Sequence, residues 1–497
     1  MERFAPITMA LRGVELRALR CRAAARAIKL SMVAVCGLAI WSCGNLAAPL
    51  LPDESTDAID LGRFELLARL VHISDSQIID EESPARLTPL AGLSDSAWRP
   101  QEAYSTQLLD GMIRTVNKMH VALHPIDFLV HTGDALENAQ HNELDWFITA
   151  MEGGRIDPRS GPDDRSPEDV PDALLDPHHS FDALGLYREG VHGTAPTIRW
   201  YGVFGNHDRF GLGVFPIVNN VFGHRTSPLP LSNRIGLFLP RELDPVGSLS
   251  WAPITPAHSG PPPGLTLPTL ITPNPDRRYI TDREFVSAHW GPDARPPGHG
   301  YAPPDQGETW YSVSSVPGLR LIGLNSSVPP LEIPTLIYSE GAINVAQRAF
   351  LERELRAADA AGEVVIVATH HPAQDLDRTI GTALTSAGFV SLLNRHPSVL
   401  LHLAGHQHAN SVIDRGGYVE VLTSSIIDAP QEGRVIEIWR EIMPPDAAET
   451  GEREVQLRYR SFSHLDEIAP PDDVESIVFD DPLMELRRVA AELAGGQ

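Results

Sequence analysis

Short unbroken apolar runs alternate along this chain with stretches in which apolar residues recur every three to four positions. The first kind predicts strands buried on both faces, and the second predicts amphipathic helices. Residues 66–74 (LLARLVHIS) read as a buried strand, 101–120 have helical spacing, and 126–132 (IDFLVHT) and 198–204 (IRWYGVF) read as two further strands. Regular structure resumes over 310–326, with a helix over about 344–360 and a strand over 363–368. Strand-like segments follow at 399–404, 418–427 and 435–439, with an amphipathic helix after Pro482 and no internal repeat. Strands joined by helices predict an α/β class. Several strands end in a polar cluster, and sites in open α/β sheets form at the carboxyl ends of strands, so clusters far apart in sequence can converge.

Two stretches interrupt the pattern. One covers about 151–195 and is rich in Asp, Pro and Arg over 151–180. The other covers 226–304 and is rich in Pro and Gly, with SGPPPG at 259–264. Both read as insertions or long loops. The chain is 497 residues long and 42% hydrophobic, enough for a sizeable core, which excludes a disordered or disulfide-stapled class. One large domain over 63–470 carrying these insertions is expected, followed by a helix or tail over 471–497.

Charge is unevenly placed. The formal net charge is −25, yet the first 43 residues hold seven basic and two acidic side chains, so the remainder carries −30. Such a surface repels polyanions, and nucleic acid is not expected as a partner. All three cysteines, Cys21, Cys36 and Cys43, lie in that basic segment. The body therefore has no internal disulfide, thiolate metal site or cysteine nucleophile.

The same segment has an Arg-rich start, an apolar run over 30–41 (LSMVAVCGLAIW) and then Ser42-Cys43-Gly44, the layout of an export signal. The run is too short for a comfortable transmembrane helix. Residues 40–44 (IWSCG) resemble a bacterial lipoprotein box, with Trp41 where a small residue is usual. A lipidated Cys43, a cleaved soluble form, an uncleaved anchor and a misplaced start codon all remain open. Residues 44–62 read as a flexible tether. The expected location is the cell envelope or periplasm, with membrane contact only through an N-terminal lipid or signal anchor.

The chemistry is written at five places: Asp75-Ser76-Gln77, Gly133-Asp134, Gly205-Asn206-His207-Asp208, Thr369-His370-His371-Pro372 and Gly405-His406-Gln407-His408. In this order they resemble the metallophosphoesterase, or calcineurin-like phosphoesterase, superfamily, whose pattern is Asp-x-His, Gly-Asp, Gly-Asn-His-Asp/Glu, His and Gly-His-x-His. The resemblance implies an α/β sandwich of four layers, αββα, with two mixed sheets flanked by helices. It also implies two divalent ions, a first held by Asp75, Gln77, Asp134 and His408 and a second by Asp134, Asn206, His370 and His406. Asp134 would be the bridge. A pair of ions about 3.5 to 4 Å apart can clamp a phosphoryl group and activate water, and needs such a shared carboxylate.

Gln77 departs from the pattern, which has histidine there. An amide oxygen is a harder and weaker donor than imidazole; it tilts the first site toward Mn or Fe or leaves Gln77 uncoordinated. Without thiolates the ligand set fits Mn, Fe, Zn or a mixture. The resemblance gives His207 the role of general acid or transition-state stabiliser, with Asp208 orienting it. His371 reads either as a support for the ligands or as a substrate contact. His131 reads as support for the strand end or as core, and His120, His124, His178, His179, His258 and His396 as packed or solvated. Asn138 and Gln140 either line the pocket or cap the helix after Asp134.

The segments 133–147 and 424–434 (SSIIDAPQEGR), with the Ser-Asp-Ser-Gln start, resemble an uncharacterised bacterial branch of the superfamily. The expected activity is hydrolysis of a small phosphate ester, mono- or diester, by a metal-bound hydroxide without a covalent enzyme intermediate. Nucleotidase and phospholipid-head-group diesterase activities are narrower alternatives. A non-catalytic envelope protein that keeps the fold for binding is the alternative of another class. The sequence does not fix the oligomeric state.

Overall fold

The structure is a computed structural model. It describes residues 49–464 apart from 56–57, 81–82, 84–98, 100, 123–124, 161–179, 220–224, 227–248, 251–268, 271–273, 329–339, 377–381 and 443–453. The N-terminal stretch expected as an export signal, with its three cysteines, the C-terminal helix expected after Pro482, and His124, His178, His179 and His258 lie outside the described residues.

Two mixed sheets carry the fold. The first has five strands in the order β13-β12-β1-β2-β5, namely Val455–Ser463, Glu432–Glu441, Phe64–Ile73, Phe128–His131 and Arg199–Gly202. Within it β1, β2 and β5 run parallel, with Leu70 beside Phe128 and Leu129 beside Trp200. The second has six strands in the order β6-β7-β8-β9-β11-β10, namely Tyr311–Val316, Leu319–Gly323, Val364–Ala368, Val399–Ala404, Val419–Leu422 and Ser411–Asp414. Here β7, β8, β9 and β11 are parallel. A small hairpin, β3 (Gly154–Ile156) with β4 (Phe181–Ala183), flanks the first sheet's helices.

Side-chain alternation sorts the layers. On β8, Ile366 and Ala368 join the main core together with Leu70 and Ile73 of β1 and Leu319 and Leu321 of β7. Val365 and Val367 point the other way, into a separate cluster with Leu351 and Leu355 of α4 (Val345–Ala361) and Phe389 and Leu392 of α5 (Ser386–Leu393). The main core continues into α1 (Ser105–Ala122) through Leu108, Met112 and Val116, and into α2 (His141–Glu152) through Leu144 and Phe147. Helices, sheet, sheet and helices thus form the expected α/β sandwich. Helix starts follow local chemistry: the Asn344 side chain accepts from Gln347 N at 2.9 Å to open α4, and the Thr385 hydroxyl accepts from Gly388 N at 3.1 Å to open α5.

The stretch expected as the larger insertion divides. Its distal part holds helix α3 (Asp282–Ala288), and Ile280, Phe285, Val286 and Tyr301 are buried in the main core. The Phe285 ring lies 4.2 Å from that of Phe204, directly before Gly205. Pro and Gly density masked this, because a few well-spaced aromatic and branched residues suffice to bury a segment. Gln140 is the N-cap of α2 and forms a capping box with Glu143, whereas Asn138 does not cap the helix; both donate side-chain N–H bonds to the buried Glu143 carboxylate, Asn138 at 2.9 Å and Gln140 at 2.7 Å. Among the described residues no helix is long and apolar enough to cross a membrane.

Candidate metal centre

Parallel strands of both sheets release their carboxyl ends at one place. Asp75 follows β1, Asp134 follows β2, Asn206 and His207 follow β5, His370 follows β8, and His406 and His408 follow β9. Two contacts tie the sheets together there. The His370 Nδ1–H donates to the Thr132 carbonyl at 2.9 Å, and the His406 backbone N–H donates to Asp75 Oδ2 at 3.0 Å. The fold thereby brings to one place residues named from five separated motifs.

The loops that present them are held under backbone strain. Asp75, Gln77, Asp134, His406 and His408 have φ of 52°, 40°, 53°, 70° and 50°, the left-handed region that side chains other than glycine rarely enter. Such residues collect where function over-determines the backbone. Two glycines make room. A Cβ on Gly205 would collide with the backbone and carboxylate of Asp134, and one on Gly405 with the Ser74 hydroxyl and Asp75 Oδ2.

The donor atoms crowd one another without bonding. Asp75 Oδ1, Gln77 Oε1, Asn206 Oδ1 and His370 Nε2 are buried and make no hydrogen bond. Yet His370 Nε2 lies 3.2 Å from Asp134 Oδ2, and His408 Nε2 lies 3.3 Å from Asp75 Oδ1. Buried polar atoms ordinarily find partners, and oxygens and imidazole nitrogens aimed at one space without bonding fit a cation between them. Ring nitrogens or carboxylate oxygens of Asp75, Asp134 and His370 lie within 4.8 Å of one another, as do those of His370, His371 and His406. Gln77 belongs to the cluster, its Nε2 3.4 Å from His408 Nε2.

Electrostatics record the same crowding. Burial works against the His370 imidazolium, but the carboxylates of Asp134 and Asp75 overrule it and raise its pKa to about 9. His408 is likewise raised to about 10 against burial, by its bond to Asp428 and the Asp75 carboxylate beside it. Asp134 is held below the usual carboxylate range: burial opposes its charge, and His370 and His207 outweigh burial. His406 is half-buried, and desolvation together with the neighbouring His370 charge lowers its pKa.

His207 stands at the edge of this cluster. Its backbone N–H donates to Asp134 Oδ1 at 2.8 Å, its Nδ1–H donates to the Glu137 carbonyl at 2.9 Å, and its Nε2 lies 3.9 Å from Asp134 Oδ2. Asp208 does not orient it. The Asp208 carboxylate accepts from the backbone N–H groups of Gly205, Asp134 and Leu136 at 2.7, 3.0 and 3.0 Å, pinning two site loops together. Burial and the neighbouring Asp134 charge raise its pKa. Motif position could not reveal which way that carboxylate turns.

Other supports were not legible as such. The His408 Nδ1 bonds Asp428 Oδ2 at 2.7 Å, fixing the ring with Nε2 toward Asp75. Asp428 and Glu137 lie in the two stretches, 133–147 and 424–434, singled out in the sequence, which was the available signal, while Arg99 beside them gave none. His371 Nδ1 pairs with the Ser326 hydroxyl at 2.8 Å, and its ring lies 4.4 Å from that of His406. His131 is buried, 3.1 Å from the Ser76 hydroxyl and packed against Phe147. His120 accepts from Ile126 N at 2.8 Å, and His396 pairs with Asp359 at 2.6 Å, both away from the site.

No protein-family profile matches the chain, and no curated protein matches it. Among solved structures it is similar to a dimetal phosphatase from Danio rerio, at 13% identity and a TM-score of 0.38, covering 76% of this chain and 96% of that one. It is similar to a Staphylococcus aureus protein described as a candidate 5′-nucleotidase, in complex with α-ketoglutarate, at 11% identity and a TM-score of 0.31, covering 86% of this chain and 58% of that one. A third is GAP50, the anchor in the inner membrane complex of Plasmodium, at 9% identity and a TM-score of 0.29, covering 86% of this chain and 95% of that one. At these scores the likenesses fix neither fold nor chemistry, which rest on the geometry above.

Proposed function

We propose that this chain is a metal-dependent phosphoesterase that hydrolyses a small phosphate ester with two divalent ions. The observation that carries the reading is the set of buried, mutually unbonded donor atoms of Asp75, Gln77, Asn206 and His370 around Asp134, where strands of both sheets end. Asp75, Gln77, Asp134 and His408 would hold one ion, and Asp134, Asn206, His370 and His406 the other. Bound ions would supply charge neutralisation for phosphoryl oxygens and lower the pKa of water.

The protein's own groups do the rest. The Glu137 carbonyl holds the proton of His207 on Nδ1. Nε2 is then the nitrogen left for chemistry: in the doubly protonated imidazolium its N–H hydrogen-bonds a phosphoryl oxygen or passes that proton to the leaving alkoxide, which leaves the ring neutral with its proton on Nδ1. Asp134 Oδ1 fixes the His207 backbone, so the acid and the carboxylate proposed to bridge the ions keep one spacing.

The test is hydrolysis of bis(4-nitrophenyl) phosphate beside 4-nitrophenyl phosphate by the full chain reconstituted with Mn(II), with bound metal counted. Turnover of either ester with about two ions per chain supports the reading, and the preferred ester assigns the class. Absence of both metal and turnover overturns it in favour of a binding protein. Bound metal without turnover directs the search to nucleotides and lipid head groups. An envelope location is part of the proposal: Cys43→Ala should release the protein from membranes, and unchanged fractionation removes the lipid anchor.

A further inference from the structure

One buried side chain links the two histidines that flank the proposed centre. Arg99 is 3% exposed and lies ahead of α1, in neither sheet. Its Nε donates to both oxygens of Asp428, at 2.8 and 2.9 Å, and Asp428 in turn holds His408 Nδ1 at 2.7 Å. On its other side, Arg99 Nη1 lies 3.5 Å from Glu137 Oε2. Glu137 holds the His207 ring through its carbonyl at 2.9 Å, and its Oε2 is 3.5 Å from the same Nδ1. The chain of contacts therefore runs His408, Asp428, Arg99, Glu137, His207.

We infer that Arg99 is a positioning residue for the proposed hydrolysis, setting the spacing and ring orientation of His408 and His207 by holding the Asp428 carboxylate, which fixes the His408 ring, and the side chain of Glu137, whose carbonyl fixes the His207 ring. The inference rests on the phosphoesterase reading. His408 comes from the second sheet and His207 from the first, and a planar guanidinium with its donors in a fixed fork can serve two carboxylates at once in a way that a lysine ammonium cannot. Neighbouring contacts stiffen the strut: Gln101 Nε2 donates to the Ile427 carbonyl at 2.7 Å, beside Asp428, and the Arg99 backbone N–H donates to Glu102 at 3.1 Å. Without Arg99, the Glu137 carboxylate, whose Oε2 makes no hydrogen bond, would be left buried beside His207 Nδ1 and would compete with the Glu137 carbonyl for its proton.

The experiment compares the full-length wild type, Arg99→Ala and Arg99→Lys, each first stripped of metal. Mn(II) affinity is read by calorimetry, and kcat and KM are measured on 4-nitrophenyl and phenyl phosphodiesters and monoesters. Removing supports of metal ligands typically costs ten- to a hundredfold. Arg99→Ala should accordingly lose about that much in Mn(II) affinity at one site and in kcat, with KM changed less than about threefold, and added methylguanidinium should restore part of both. Arg99→Lys should fold like wild type, bind metal and still fall short in kcat, most for the phenyl esters. In a double-mutant cycle, Arg99→Ala should cost less on a His207→Ala background than on wild type. Variants that melt lower but keep wild-type metal affinity and kcat overturn the inference. If Arg99→Ala fails to fold, Arg99→Lys decides by itself, since wild-type kcat in that variant also overturns it. A wild-type protein that neither binds metal nor turns over ester fails the phosphoesterase reading instead.

Discussion

His370 and Asp134 face each other across 3.2 Å, one from the end of β8 and the other from the end of β2, and they join the two sheets at the proposed centre. Neither residue is informative alone. Their approach requires His370 to be anchored on the Thr132 carbonyl and Asp134 to take a left-handed backbone, and both conditions are met. Four consequences can be measured.

Because Asp134 lies within reach of His370, His207 and Asp75 and is proposed to serve both ions, Asp134→Asn should lose metal and activity together. Direct ligands exceed their supports in effect, so the loss in Mn(II) affinity should be at least about a hundredfold. Metal analysis and ester hydrolysis on the same sample check this, and retention of both removes Asp134 from the site.

Metal uptake should release protons. His370 and His408 titrate at about 9 and 10 without metal, so both rings are charged at pH 7 and must become neutral to ligate through Nε2. Loading should therefore liberate about two protons near neutrality, and affinity should rise with pH between 7 and 9 and weaken as pH falls. Calorimetry in buffers of different ionisation enthalpy counts those protons, and no release would mean that these rings are not ligands.

His207→Ala should keep bound metal while losing rate. If Nε2 protonates the leaving alkoxide, the loss should be about a hundredfold or more for phenyl esters and much smaller for 4-nitrophenyl esters. Equal losses in the two series would assign His207 to phosphoryl stabilisation.

Gly405→Ala tests the close approach of the loop after β9 to Asp75. The added Cβ has no space against Ser74 and Asp75. Overpacking of this kind costs about 1–3 kcal/mol, and here it should also displace Asp75 and weaken metal binding. Denaturant unfolding of stripped and loaded protein separates the two effects, and a variant with unchanged stability and affinity would show that the loop yields freely.

Much of the architecture follows from local pattern. Runs such as 66–74 and 399–404 are apolar on both faces, which commits them to buried strands wherever they are placed, and Asn344 or Thr385 before a periodic stretch opens a helix by its own side-chain bond. The residues that could meet a metal were legible too, because aspartate, asparagine and histidine after strand ends are few and follow one order. The sequence did not disclose what depends on direction and on neighbours far along the chain. It could not show that Asp208 turns to backbone amides, that Phe285 from a Pro- and Gly-rich stretch packs beside Phe204, or that Asp428 and Glu137 share Arg99. Side-chain identity and spacing set periodicity and local bonds. Which buried charge faces which is settled only when the two sheets pack, since burial is what makes an unpaired charge too costly to leave alone.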